Sequence, residues 1–212
     1  MKNLIYKDLT LSINKFFFFL PVLLGALMFI PGWIFTLVFM YFFWISVSQI
    51  FAAFNTNADY DFTTSLPVRR QDIVRSRIYA IYIVEVIHLL FGLIFGLIHN
   101  QIYGTWNFFF DINFSFFGLM ILLYGIFNVV FFPMYFRTAH FFGKPAIYGN
   151  IAALAYGFVL EFGIVKYQFM RDIFEGSITS QILPFTIATL LGIGLSIFAV
   201  KRSQTNFKKI DL

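Results

Sequence analysis

The chain has 212 residues, 60% hydrophobic and 22% aromatic, with only 12% charged, and its mean hydropathy is +0.82. Soluble globular domains carry roughly a quarter charged residues, so this composition excludes a sizeable soluble domain. The formal net charge is +5 and cysteine is absent, which rules out disulfides, thiolate metal sites and a cysteine nucleophile.

Long apolar runs without strand-like alternation predict an all-α, polytopic membrane protein, not a β-barrel. Residues 1–15 read as an amphipathic helix. Ile5, Leu9, Ile13 and Phe16 fall on one face and Asn3, Lys7, Thr10 and Asn14 on the other, as expected of a helix lying in a membrane interface. The apolar run from Phe16 to Phe54 would measure ~58 Å as one helix, about twice a bilayer core. It must fold back, and Pro31-Gly32 followed by Trp33 is where it does so. Span 1 is thus 16–30 and span 2 is 33–54. No small-residue cleavage pattern follows the first apolar run, so it reads as a span and not a removable leader. A polar segment, 55–77, precedes span 3 at 78–98. A polar and aromatic loop, 99–114, then leads to span 4 at 115–136. Span 5 is 145–165, span 6 is 181–200, and a basic tail follows. The reading is a single transmembrane domain over 1–212 with six transmembrane helices.

Of the 15 Lys and Arg residues, 13 fall on one side of this arrangement, and only Lys166 and Arg171 fall on the other. Positive residues favour the cytoplasmic side, so both ends and the 55–77 segment are expected there. The charge is a topology signal, and no nucleic-acid partner is expected.

The polar groups at depth are Glu85, His88 and Glu161, with His99 and His140 near span ends. Glu85 and His88 share a helix face at i, i+3, a spacing that serves metal ligation in carboxylate-bridged bundles. The motif occurs once here, so a hydrogen-bonded pair facing other helices or a wet cavity is the preferred reading, and no metal is expected. Intramembrane carboxylates are functional candidates by default, which makes Glu85, His88 and Glu161 candidates for a transport pathway. Glu161 lies close in sequence to Lys166 and can also be read as its ion-pair partner. No nucleophile elbow or zinc-protease motif occurs. Gly143-Lys144 is not a P-loop, since Pro145 stands where Ser or Thr is required. Gly92 and Gly96, and the row Gly149, Ala153, Gly157, are small-residue stripes that suit close helix packing.

Residues 65–78, SLPVRRQDIVRSRI, resemble the Leu-Pro-x-x-Arg-x-x-Ile-Val-x-x-Lys/Arg signature of ABC-2 type transporter permeases. The matching positions are Leu66, Pro67, Arg70, Ile73, Val74 and Arg77. In length and layout the chain is most similar to the small permease subunits of bacterial peptide exporters, of the phenol-soluble modulin exporter type. The resemblance implies that NTNADYDFTTS, residues 55–65, forms a short cytoplasmic coupling helix that docks on an ATPase. Asp59, Tyr60, Asp61, Phe62, Leu66, Pro67, Arg70 and Arg77 would be the coupling residues. One position departs from the family: Arg69 stands where a Ser or Thr N-cap is usual.

The resemblance implies a non-enzymatic permease subunit in a bacterial cell membrane, forming half of a pathway with a second permease, identical or homologous. Two copies of a separate ABC ATPase would carry ATP and Mg²⁺, with no cofactor on this chain. The phenylalanine content fits export of amphipathic peptides or lipophilic compounds. The alternative is a non-transporting membrane protein: a sensor, immunity factor or assembly scaffold.

Overall fold

The computed structural model describes residues 1–56, 63, 65–138 and 141–210, and these form helices and turns with no strand among them. The helices are α1 (Lys2–Ser12), α2 (Phe16–Phe29), α3 (Phe35–Phe54), α4 (Arg70–Tyr103), α5 (Phe114–Tyr135), α6 (Gly143–Lys166), α7 (Gln168–Glu175) and α8 (Ile178–Phe207). Five of them, α3, α4, α5, α6 and α8, are long and apolar enough to cross a membrane. A sixth span is reached only if α1 and α2, bent by 72° at their junction, count as one. Alone, α2 rises ~21 Å, short of a ~30 Å core. It contains Pro21 and tightens into a 3₁₀ turn at Leu27–Phe29.

Local chemistry sets the boundaries. Gly32, at φ 71°, makes the turn after Pro31 that separates α2 from α3, and Gly104, at φ 83°, ends α4, both in a region that strains other residues. The Asn113 side chain caps α5 by accepting from Phe116 N, and Ser177 caps α8 by accepting from Ser180 N. Arg69, extended at the start of α4, makes no side-chain cap, which is the structural consequence of lacking Ser or Thr there.

Helix α1 packs against α4. Its buried residues are Leu4, Asp8 and Ser12, followed by Ile13, while Tyr6 and Leu11 are exposed. The expected apolar face, Ile5, Leu9, Ile13 and Phe16, is therefore only partly the inward one. Asp8–Ser12 is π-helical, and its wider turn moves the faces off a 3.6-residue register.

Helix α5 is central, with α8 on one side and α6 on another. Without water to drive apolar surfaces together, helices in lipid associate by close packing, and two devices supply it. One is aromatic: Phe43 stacks on Phe127 at 4.0 Å, Phe127 on Phe131 at 5.1 Å, and Tyr135 meets Phe51 at 4.5 Å, each pair adding about 0.5–1.5 kcal/mol. The other is small residues. Gly92 and Gly96 face Phe39 and Ile112, Gly149 faces Phe127 and Phe131, and Gly157 faces Met40 and Thr36.

The row Gly149, Ala153, Gly157 thus packs inside the chain. Ala153 is only 2% exposed, whereas Ile147, Phe158 and Val159 on the opposite face are exposed. Ala153→Leu is expected to push α6 from its neighbours and destabilise the isolated chain by about 1–3 kcal/mol. A thermal unfolding curve of the detergent-solubilised variant that matches wild type would contradict this placement.

Candidate functional site

The polar centre of the molecule lies where α4, α5 and α8 meet. Glu85 on α4 is 5% exposed and Asn128 on α5 is fully buried. Asn128 Nδ2 donates to Glu85 Oε2 at 3.1 Å and to Ser196 Oγ on α8 at 3.3 Å. Tyr82 OH donates to the Ser196 carbonyl at 2.8 Å. Beside this group is a cavity of about 350 Å³ lined by Glu85, three tyrosines (Tyr79, Tyr82, Tyr124) and aliphatic side chains, with Arg75 and Lys201 also on its wall. Arg75 precedes Glu85 on α4 by ~15 Å of helix rise. The cavity therefore runs from a cationic end to an acidic floor. Such a concave, largely apolar space with a few convergent polar groups is the usual form of a ligand site.

His88 turns away from Glu85. Its Nε2 lies 3.1 Å from the Val38 carbonyl, and its ring sits among Phe39, Phe42 and Tyr124. Glu85 and His88 share a helix but serve different contacts. Among the described residues no group of three or more His, Asp or Glu is placed to hold a metal ion.

The arginines after Pro67 have separate tasks. Arg70 Nη1 donates to the Ile210 carbonyl at 2.8 Å, tying the start of α4 to the segment after α8, and Gln204 on α8 donates to the Gln71 carbonyl. Arg75 reaches the cavity. Arg77 is only 2% exposed, with its guanidinium 4.1 Å from the Phe54 ring centroid, and so joins α4 to the end of α3. Ile73 and Val74 of the same signature are core residues, Leu66 is half-buried and Pro67 is exposed. Lys7 of α1 donates to Thr63 Oγ1 at 3.0 Å. Asp59, Tyr60, Asp61 and Phe62, most of the expected coupling helix, lie outside the described residues, as does His140.

At the opposite end, Glu161 faces inward, away from Lys166. It accepts from Thr36 Oγ1 on α3 and, at 3.0 Å, from Phe110 N in the loop between α4 and α5. Lys166 stands instead over the Phe162 and Tyr167 rings. The loop is further held by α7: Asp111 N donates to Glu175 Oε1 at 2.8 Å, Arg171 Nε pairs with Glu175 Oε2 at 3.0 Å, and Arg171 Nη2 donates to the Phe108 carbonyl.

Burial raises the Asp111 carboxyl from 3.8 to about 6, against the Asn107 N–H and the Arg171 charge. Burial likewise raises Glu175 from 4.5 to about 7. The Asp111 N–H and Arg171 oppose that rise, while the charges of Asp111 and Glu161 add to it. A carboxyl raised in the folded state keeps its proton longer when folded than when unfolded, so ionising it works against the fold. This clamp is therefore most stable below about pH 4 and loses stability as pH rises through about 7. The melting temperature of the solubilised protein is expected to fall between pH 5 and 8, and Glu175→Gln to flatten the upper part of that fall. A rise over the same range would contradict the assignment.

Sequence reasoning missed Asn128, Ser196 and the glycines of the α5–α8 contact. Asn128 carried a readable signal, being the one carboxamide inside the apolar run 115–136, where an amide needs a partner. Ser196 and the glycines acquire meaning only once α5 and α8 are paired.

The fold and this buried polar centre define a polytopic α-helical membrane protein. Residues 3–202 match the family described as ABC-2 family transporter protein, and the chain belongs to that family. No curated protein and no solved structure matches the chain.

Proposed function

We propose that this chain is the permease subunit of an ABC exporter in a bacterial cell membrane, with both ends cytoplasmic. It forms half of a translocation pathway with a second permease and takes its energy from two copies of a separate ATPase. The observation that carries this reading is the cavity between α4, α5 and α8, with an acidic floor and a cationic end on the Arg/Lys-rich side. Amphipathic peptides or lipophilic compounds suit its apolar walls. Family membership supports an ABC ATPase as partner in general.

Coupling is assigned to residues 55–77. Arg70 and Arg77 join the start of α4 to Ile210 and Phe54, so a push on the loop reaches the post-α8 segment and α3 through short contacts. The docking residues proposed are Asp59, Tyr60, Asp61 and Phe62, where an aromatic anchor with a charged rim is typical of an interface.

The test is co-purification of the ATPase from native membranes. Phe62→Ala is expected to reduce the ATPase recovered while leaving membrane insertion intact, and Arg70→Ala to weaken stimulation of ATP hydrolysis. A double variant that recovers and stimulates the ATPase like wild type would make the loop a topology anchor only. Failure of wild type to recover any ATPase would favour a sensor, immunity factor or scaffold.

A further inference from the structure

The floor of the cavity is chemically incomplete. Asn128 holds Glu85 Oε2, but Glu85 Oε1 and the Tyr124 hydroxyl have no hydrogen-bond partner among the described residues, and neither has Asn128 Oδ1. Glu85 and Tyr124 line the cavity, and each is at least nine-tenths buried. A buried polar atom without a partner costs free energy, and a carboxylate in apolar surroundings costs far more unless a cation meets it. Glu85 Oε1 and Asn128 Oδ1 are acceptors and the Tyr124 hydroxyl can accept as well as donate, while the one nearby amide donor, Asn128 Nδ2, is already spent on Glu85 and Ser196. The missing ligand group is therefore a donor.

An ammonium group fits best. It has three N–H donors and no acceptor, it neutralises the carboxylate, and the faces of Tyr79, Tyr82 and Tyr124 can attract its charge. Val86, Leu89, Ile193 and Ile197 supply surface for an apolar body. The other charged groups facing the cavity, Arg75 and Lys201, stand toward its far end. They repel an ammonium from that end and favour the orientation with the amine toward Glu85.

We propose that Glu85 and Tyr124 form an ammonium-binding floor, and that the cavity takes an amphipathic amine with its charged nitrogen at Glu85. The proposal rests on the cavity being a ligand site, as the export reading requires, and narrows its ligand to amine-bearing amphiphiles.

The experiment is isothermal titration of the purified full chain in detergent with n-hexylammonium, 1-hexanol and hexanoate. Micelle partitioning is common to all variants and cancels between them. Wild type is expected to bind n-hexylammonium more tightly than the other two. Glu85→Gln should weaken n-hexylammonium by about tenfold to a hundredfold, the range for a charge-assisted hydrogen bond, and leave 1-hexanol unchanged. Tyr124→Phe should give a smaller loss and Glu85→Asp a partial recovery. Equal binding of n-hexylammonium and 1-hexanol to wild type, or the same n-hexylammonium affinity in wild type and Glu85→Gln, overturns the proposal. If Glu85→Gln unfolds, the wild-type preference and Tyr124→Phe decide it. No ATPase is present, so loss of the ammonium preference leaves the export reading standing. An intact preference in a chain that never drives ATP-dependent flux would sink the export reading alone.

Discussion

Gly192→Leu is expected to leave little folded protein. Helices α5 and α8 touch backbone to backbone: a Cβ at Gly192 would lie 2.5 Å from the Ile121 carbonyl oxygen and 2.9 Å from Leu122 Cα. From the other helix, a Cβ at Gly125 would lie 2.5 Å from the Gly192 carbonyl oxygen, and one at Gly118 would lie 2.8 Å from Phe185 Cα. Backbone cannot swing aside as a side-chain tip does, so even Gly192→Ala must part the helices, at about 1–3 kcal/mol. A leucine forces a wider gap and disrupts the Asn128–Ser196 hydrogen bond that crosses the same contact. Gly194 is the internal control, because nothing lies within 4 Å of its would-be Cβ. Gly194→Ala should be neutral or slightly stabilising, since alanine favours helix by about 1 kcal/mol over glycine. Size-exclusion profiles after graded heating would check the pair, and equal behaviour of Gly192→Ala and Gly194→Ala would refute the close approach.

The second large effect is expected at Glu161. One carboxylate joins α6 to α3 through Thr36 and to the 104–113 loop through Phe110 N, where Thr36 and Phe110 are themselves fully buried. Glu161→Ala leaves both donors without an acceptor in an apolar setting, at about 1–3 kcal/mol each. Glu161→Gln keeps an acceptor oxygen and should lose roughly half as much. The loop should be cleaved more readily by protease in Glu161→Ala, because its middle would then be held only by peripheral ties, among them Asn107 to the Trp33 carbonyl, Arg171 to Phe108 and Asp111 N to Glu175. Wild-type melting and wild-type resistance to cleavage in this variant would show that the loop is held elsewhere.

Much of the architecture was legible in the chain. The apolar runs gave α3, α4, α5, α6 and α8 because a spanning helix needs a continuous run of about 20 apolar residues, a strong one-dimensional signal. The turn at Pro31-Gly32 was legible for the same reason, as the run on either side could not be one helix. Helix α2 was less so: its composition suits a span, but its length depends on where a 3₁₀ turn closes it. The inward face of α1 was only partly legible, because a π-helical stretch carries no compositional mark.

Glu85 was legible as a buried carboxylate, but its partners were not, since Asn128 and Ser196 lie on other helices. The four arginines after Pro67 looked alike in sequence. Their different fates, Arg77 against Phe54 and Arg70 against Ile210, depend on which turn of α4 faces the core. Phenylalanine was the least readable residue, since the apolar count is the same for Phe127, stacked in the core, and for Phe158, exposed on α6.

Flux across the membrane is the most direct test of export by this chain. Inside-out vesicles containing this chain, its partner permease and the co-purified ATPase would be given a fluorescent amphipathic peptide outside and ATP. Export predicts ATP-dependent accumulation in the vesicle lumen that stops when the ATPase cannot hydrolyse ATP and falls sharply with Phe62→Ala. Accumulation that is absent, or unchanged by ATP, in vesicles where the ATPase remains bound to the chain would contradict it.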